Sequence, residues 1–159
     1  MSASAIQPGD LAPEFTLFTT DKKEVSLADY RGKNVVILFF PLAFTGVCTT
    51  ELCSVRDNMS VYNGLNAVVL GISVDSVFSL DKFRQEQQLN FDLLSDFNSE
   101  VCSSYGAMYD TFVFGMKNVA RRAAFVVDAA GVVRYAEVLE SAGDLPNFVA
   151  IQETLSQLN

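Results

Sequence analysis

The chain has 159 residues, half of them hydrophobic, a length that suits one domain spanning 1–159 with a substantial core. Eleven basic residues against nineteen acidic ones give a formal charge of -8, and no apolar run nears the roughly 18 residues of a membrane span, so nucleic acid and membrane are not expected partners. There is no histidine, and the three cysteines form no CxxC or Cys/His cluster, so neither a metal nor a cofactor is expected and no mechanism can rest on a His base.

The opening MSASAIQPGD lacks a cationic region followed by an apolar stretch, so it does not read as a secretory signal and a cytoplasmic location is the default. PGDLAPEFTLFTTDKKEVSLADYRGK alternates apolar and polar residues around the turn TTDKK, which predicts a short antiparallel hairpin decorating the core. NVVILFFP, residues 34–41, is a continuous apolar run stopped by proline, the pattern of a strand buried on both faces in a parallel sheet. Over 47–63, Cys48, Leu52, Val55, Met59 and Tyr62 recur at spacings of four and three and predict one amphipathic helix. Its polar face carries Thr49, Cys53, Arg56, Asp57 and Ser60.

A second apolar strand, 66–73, completes a strand-helix-strand crossover, and a polar helix follows around 78–89. FDLLSD predicts a short strand, and NSEVCSSYG a short helix whose inner side is Val101, Cys102 and Tyr105. Residues 107–120 form an aromatic-rich loop in which Phe112, Phe114 and Met116 carry more apolar surface than a solvated loop does. They cover either the chain's own core or a dimer contact. AAFVVDAAGVVRYAEV then predicts a hairpin about the turn Asp-Ala-Ala-Gly. Pro146 fits the first turn of a closing helix with Phe148, Ile151, Leu155 and Leu158 on its buried stripe. This order of elements is that of a thioredoxin-like α/β domain, a central mixed sheet with flanking helices and an N-terminal β-hairpin extension.

Cys48 is the residue that draws attention. It follows a strand and falls in the first turn of a helix, where free N–H groups and the positive end of the macrodipole favour a thiolate. By position alone it is equally a small buried hydrophobe on the inner stripe. Thr45 places a hydroxyl three residues before it, Gly46 lets a substrate approach the backbone, and Pro41 offers a wall without an N–H.

Pro41, Thr45 and Cys48 match the PxxxTxxC signature of the peroxiredoxins, thiol peroxidases built on the thioredoxin fold, and the chain resembles that family over nearly its whole length. PGDLAPEFTL, VSLADYRGK, RAAFVVD and the following hairpin fall in the family's order. The resemblance implies that Cys48 attacks hydrogen peroxide or an organic hydroperoxide and becomes a sulfenic acid. Thr45 would hydrogen-bond peroxide and thiolate, and Arg122 would supply the cation that histidine cannot. Taken by itself, Arg122 is as well explained as half of an exposed pair with Arg121. Glu51 matches the family's glutamate that orients this arginine, although a carboxylate early in a helix is also ordinary dipole compensation.

The resolving thiol is open at this level. Cys53 stands five residues after Cys48, as in the subgroup resembling the bacterioferritin comigratory and PrxQ-like proteins, in which such a cysteine closes an internal disulfide. In an intact helix the two Cα atoms are roughly 8–9 Å apart, beyond the limit of about 7 Å for a disulfide, so the helix would have to unwind. PLAFTGVC instead resembles the one-cysteine, AhpE-like subgroup, which implies an external thioredoxin-like or low-molecular-weight thiol reductant. Cys102 reads as core. A homodimer through the 107–119 loop is expected. The competing functions are a thiol-disulfide oxidoreductase, for which CxxC is missing, and a redox-responsive chaperone or binding protein that uses Cys48 as a sensor.

Overall fold

The computed structural model describes residues 6–159; residues 1–5, which open the segment read above for a secretory signal, lie outside them. Seven strands form one mixed sheet: β1 (Thr16–Thr19), β2 (Glu24–Ser26), β3 (Asn34–Phe39), β4 (Ala67–Ser73), β5 (Asp92–Ser95), β6 (Ala123–Val127) and β7 (Val133–Val138), in the order β2-β1-β5-β4-β3-β6-β7. β3, β4 and β5 run parallel, and the remaining pairings are antiparallel. The N-terminal hairpin therefore does more than decorate the core. β1 pairs with β5 and lengthens the sheet by two strands.

β3 lies inside the sheet between β4 and β6, and all six of its residues are buried, which only a strand covered on both faces can achieve. Its side chains alternate between two cores. Val36 and Leu38 face one, built with helices α1 (Gly46–Asp57), α2 (Met59–Gly64), α3 (Val77–Gln87) and α5 (Phe148–Gln157); Val35, Ile37 and Phe39 face the other, with Phe15, Leu27 and α4 (Glu100–Ser104). Val101, Cys102 and Tyr105 are buried in that second core, as their spacing predicts. No helix among the described residues is long and apolar enough to cross a membrane.

Two sequence expectations change. The single helix over 47–63 is broken at Asn58, where ψ is 15° and the side chain turns back to donate to the Ser54 carbonyl, so α1 and α2 are separate. Pro146 stands before α5 rather than in its first turn, because the Asn147 side chain accepts the Ala150 N–H and caps the helix there. Strand and helix ends otherwise shift by one or two residues, as at Asn66, whose φ of 54° keeps it outside β4.

Candidate active site

The chain leaves the carboxyl end of β3 at Phe39, beside the carboxyl end of parallel β4, the place where open α/β sheets form clefts. A loop through Pro41 and Thr45 then turns into α1. It is held from below: the Ala43 N–H donates to Asp75 Oδ2 at 2.8 Å, and Ser73 Oγ donates to the same oxygen at 2.6 Å. Phe44 takes a left-handed conformation, φ 67°, and its ring meets Phe83 of α3 edge-on with centroids 5.1 Å apart. Cys48 thus sits in the first turn of α1 with its side chain on the buried stripe, 1% exposed.

Arg122 arrives from the other side. The antiparallel register that pairs Phe39 with Ala123 sets Arg122, the residue before β6, next to the start of the loop. It is 1% exposed, so the exposed-pair alternative is overturned; its neighbour Arg121 is the half-buried one, lying over the Tyr109 ring. Arg122 Nη2 donates to Cys48 Sγ at 3.3 Å and to the Ala142 carbonyl at 3.0 Å, while Nη1 donates to Glu51 Oε1 at 2.6 Å. Glu51 lies in the second turn of α1, fully buried, so dipole compensation does not explain it. Its Oε2 and Arg122 Nε have no hydrogen-bond partner among the described residues.

One guanidinium therefore serves both a carboxyl and a thiol. Burial pushes the Glu51 carboxyl up to about 7 against the pull of Arg122, whereas Arg122, despite burial working against its charge, is held above its ordinary value by Glu51 and Cys48. The folded chain consequently keeps a proton on Glu51 that the unfolded chain releases near its ordinary value of 4.5. Between about 4.5 and 7 the folded state binds more protons, so Glu51 makes stability fall as pH rises through that window. Urea midpoints measured from pH 4.5 to 7.5 are expected to show this fall in wild type and a flatter profile in Glu51→Gln; parallel profiles would refute it.

Pro41, Thr45, Cys48 and Arg122 line one cavity of about 260 Å³, together with Val47 and Met116. Pro41 is buried and lines the cavity. Thr45 is exposed and caps no amide of α1 with its side chain; its hydroxyl donates to the Leu42 carbonyl at 2.8 Å. That bond fixes the hydroxyl proton and leaves the oxygen's lone pairs as acceptors. The apolar loop completes the mouth through Phe112, Val113 and Phe114, and Phe114 is 97% exposed, so it covers none of the chain's own core. A larger hollow of about 500 Å³ between β1 and α3, bordered by Phe18, Phe78 and Phe97, contains no thiol and no basic side chain.

The other two cysteines lie apart from this cavity. Cys53 is half-buried and its thiol donates to Gln87 Oε1 on α3 at 3.4 Å, so Cys48 and Cys53 meet different neighbours and no disulfide joins them. Cys102 is fully buried against Asp96, and burial together with that carboxyl raises its pKa far above the ordinary thiol value, as befits an inert core residue. Sequence reasoning missed Asp75, Ser73 and Ala142, which hold the loop and the arginine. None of them carries a local signal, because each acts through contacts made only when distant segments meet.

Residues 8–136 match the model of the AhpC/TSA family. Peroxiredoxin Bcp of Escherichia coli strain K12 is 36% identical over 131 residues, covering 82% of this chain and 84% of that protein. Among solved structures, peroxidoxin BcpB from Mycobacterium tuberculosis superposes with a TM-score of 0.86 at 26% identity, covering 97% of this chain and 99% of its own. A peroxiredoxin-like protein from Aquifex aeolicus gives 0.87 at 25% identity, covering 99% and 90%.

Proposed function

Since the chain belongs to the AhpC/TSA family and is a thioredoxin-fold, thiol-dependent peroxidase of the peroxiredoxin type, we propose that Cys48 is the nucleophile and that the 159 residues act as one domain. The observation that carries this reading is the approach of the buried Arg122 Nη2 to Cys48 Sγ at 3.3 Å. Arg122 and the open N–H groups of α1 hold the thiolate. Its sulfur attacks the terminal oxygen of the peroxide; an S–O bond forms as the O–O bond breaks, and Cys48 becomes a sulfenic acid. The departing alkoxide or hydroxide takes up the proton that Cys48 released and leaves as alcohol or water. Arg122 stabilises the charge developing on the peroxide oxygens, Thr45 accepts a hydrogen bond from the peroxide, Glu51 holds Arg122, and Pro41 keeps water from the sulfur.

Both hydrogen peroxide and organic hydroperoxides are substrates in this reading, and the apolar mouth around Val47, Phe112 and Met116 supports the organic ones. Phe44, Val113 and Phe114, exposed by 52%, 54% and 97% beside that mouth, support a homodimer contact there. The protein works in the cytoplasm, without nucleic acid or membrane as a partner.

Cys53 is the resolving thiol. It reacts with the sulfenic acid once α1 unwinds, and a thioredoxin-like or low-molecular-weight thiol then reduces the disulfide. One equivalent of peroxide, followed by mass spectrometry, is expected to yield a Cys48–Cys53 disulfide in wild type and a Cys48 sulfenic acid in Cys53→Ser. A wild type that gains only an oxygen on Cys48 would make the enzyme a one-cysteine type. Peroxide consumption with a panel of thiol donors identifies the reductant.

A further inference from the structure

The two thiols of α1 are held by different parts of the fold, and the hold on Cys53 is unusually specific. α3 ends at Gln87, followed by Gln88 in the left-handed conformation at φ 52°, so the Gln87 carbonyl is among those with no donor inside its own helix. Arg56 Nη1 supplies that donor at 2.5 Å, and its charge suits the negative end of α3. The side-chain carbonyl of the same Gln87 accepts the Cys53 thiol at 3.4 Å. Asn90, just beyond, returns the tie by donating to the Arg56 carbonyl at 3.3 Å. Cys53 and Arg56, one turn apart on α1, thus share one partner residue at the end of α3.

We propose that Arg56 and Gln87 form a clasp that governs how fast Cys53 reaches oxidised Cys48, which makes Arg56 a positioning residue for resolution. The proposal rests on the reading of Cys53 as the resolving thiol. In the intact helix the sulfur atoms face different neighbours, and unwinding the segment between residues 48 and 53 must take Cys53 away from Gln87. Arg56 on the next turn stays anchored to the same residue and holds the helix closed. When the clasp opens, the Cys53 sulfur attacks the sulfenic sulfur of Cys48. An S–S bond forms, the S–O bond breaks, and the hydroxide leaves with the Cys53 proton as water. While the clasp is closed, the sulfenic acid is exposed to a second peroxide, which oxidises it to the sulfinic acid. The clasp therefore sets the peroxide concentration at which the enzyme is lost to over-oxidation.

The test separates the two steps in the full-length chain by rapid mixing with peroxide, thiol trapping and mass spectrometry. Arg56→Gln, which removes the charged donor, is expected to form the Cys48–Cys53 disulfide about tenfold faster than wild type, and Gln87→Ala, which removes only the thiol's acceptor, about threefold faster. Arg56→Lys, which can still reach the carbonyl, should return close to the wild-type rate. The first oxidation of Cys48 should stay within about twofold in all three, because the clasp does not touch Arg122 or Glu51. Under excess peroxide, Arg56→Gln should accumulate less sulfinic acid; a merely loosened fold would slow the first oxidation and not shift this partition. A wild-type or slower disulfide rate in Arg56→Gln overturns the clasp while leaving Cys53 as resolver. A wild type that never forms the disulfide overturns both.

Discussion

Replacing Arg122 with alanine is expected to lower the rate constant for peroxide reduction by about 10²–10³, the scale seen when a single preorganised charge donor is removed from a reacting oxyanion. Arg122 is the cation bonded to Cys48, and without histidine in the chain no imidazolium can replace it. The same substitution strips Glu51 of its partner in a fully buried site, so about 3–5 kcal/mol of stability should be lost near neutral pH. That loss should stay nearly level from pH 5 to about 7, where Glu51 is protonated with or without Arg122, and grow above it, where the carboxyl ionises only when the guanidinium is beside it. Arg122→Lys is the informative companion. It keeps a positive charge but cannot bond Glu51, Cys48 and Ala142 through a planar fork, so it should recover stability better than rate. A folded Arg122→Ala protein that reduces peroxide within about threefold of wild type would remove Arg122 from the mechanism.

The second large effect is complete loss of peroxide reduction in Cys48→Ser. A serine hydroxyl in that position has no base to deprotonate it, because the adjoining side chains are a guanidinium already bonded to Glu51, and the nearby Thr45 hydroxyl donates elsewhere. Oxygen is also a poor acceptor of a peroxide oxygen compared with a polarizable sulfur. Cys48 and serine are close in size, so the packing of the buried stripe with Leu52 and Val55 should persist and the melting temperature should move by no more than a few degrees. Loss of activity in a folded chain then reports chemistry rather than collapse.

Local patterns carried most of the architecture. The apolar run ending at Pro41 marks β3 as a strand buried on both faces, and the four-three spacing after Gly46 puts Cys48 at a helix start, because both signals come from neighbours along the chain. The cation was not legible in that way. Taken locally, Arg122 next to Arg121 looks solvated; its burial follows from the pairing of Phe39 with Ala123, a contact between segments more than eighty residues apart. Resemblance to the peroxiredoxins identified it where periodicity could not. Glu51 is similar, since its partner lies 71 residues away. The break at Asn58 was missed because the apolar stripe continues across it through Met59 and Tyr62, so burial persists where the backbone helix does not. The clasp at Gln87 was invisible for a further reason: a helix-end carbonyl has no side-chain signature in the sequence.

The most direct test of the central claim is one equivalent of peroxide mixed with the fully reduced chain, with peroxide loss followed in time and each cysteine peptide weighed afterwards. Wild type should consume the peroxide, with the oxidation first placed on Cys48, and Cys48→Ser should leave it untouched while Cys53 and Cys102 stay reduced. Peroxide consumed by Cys48→Ser at the wild-type rate, or a first oxidation at Cys53 or Cys102, would contradict the assignment.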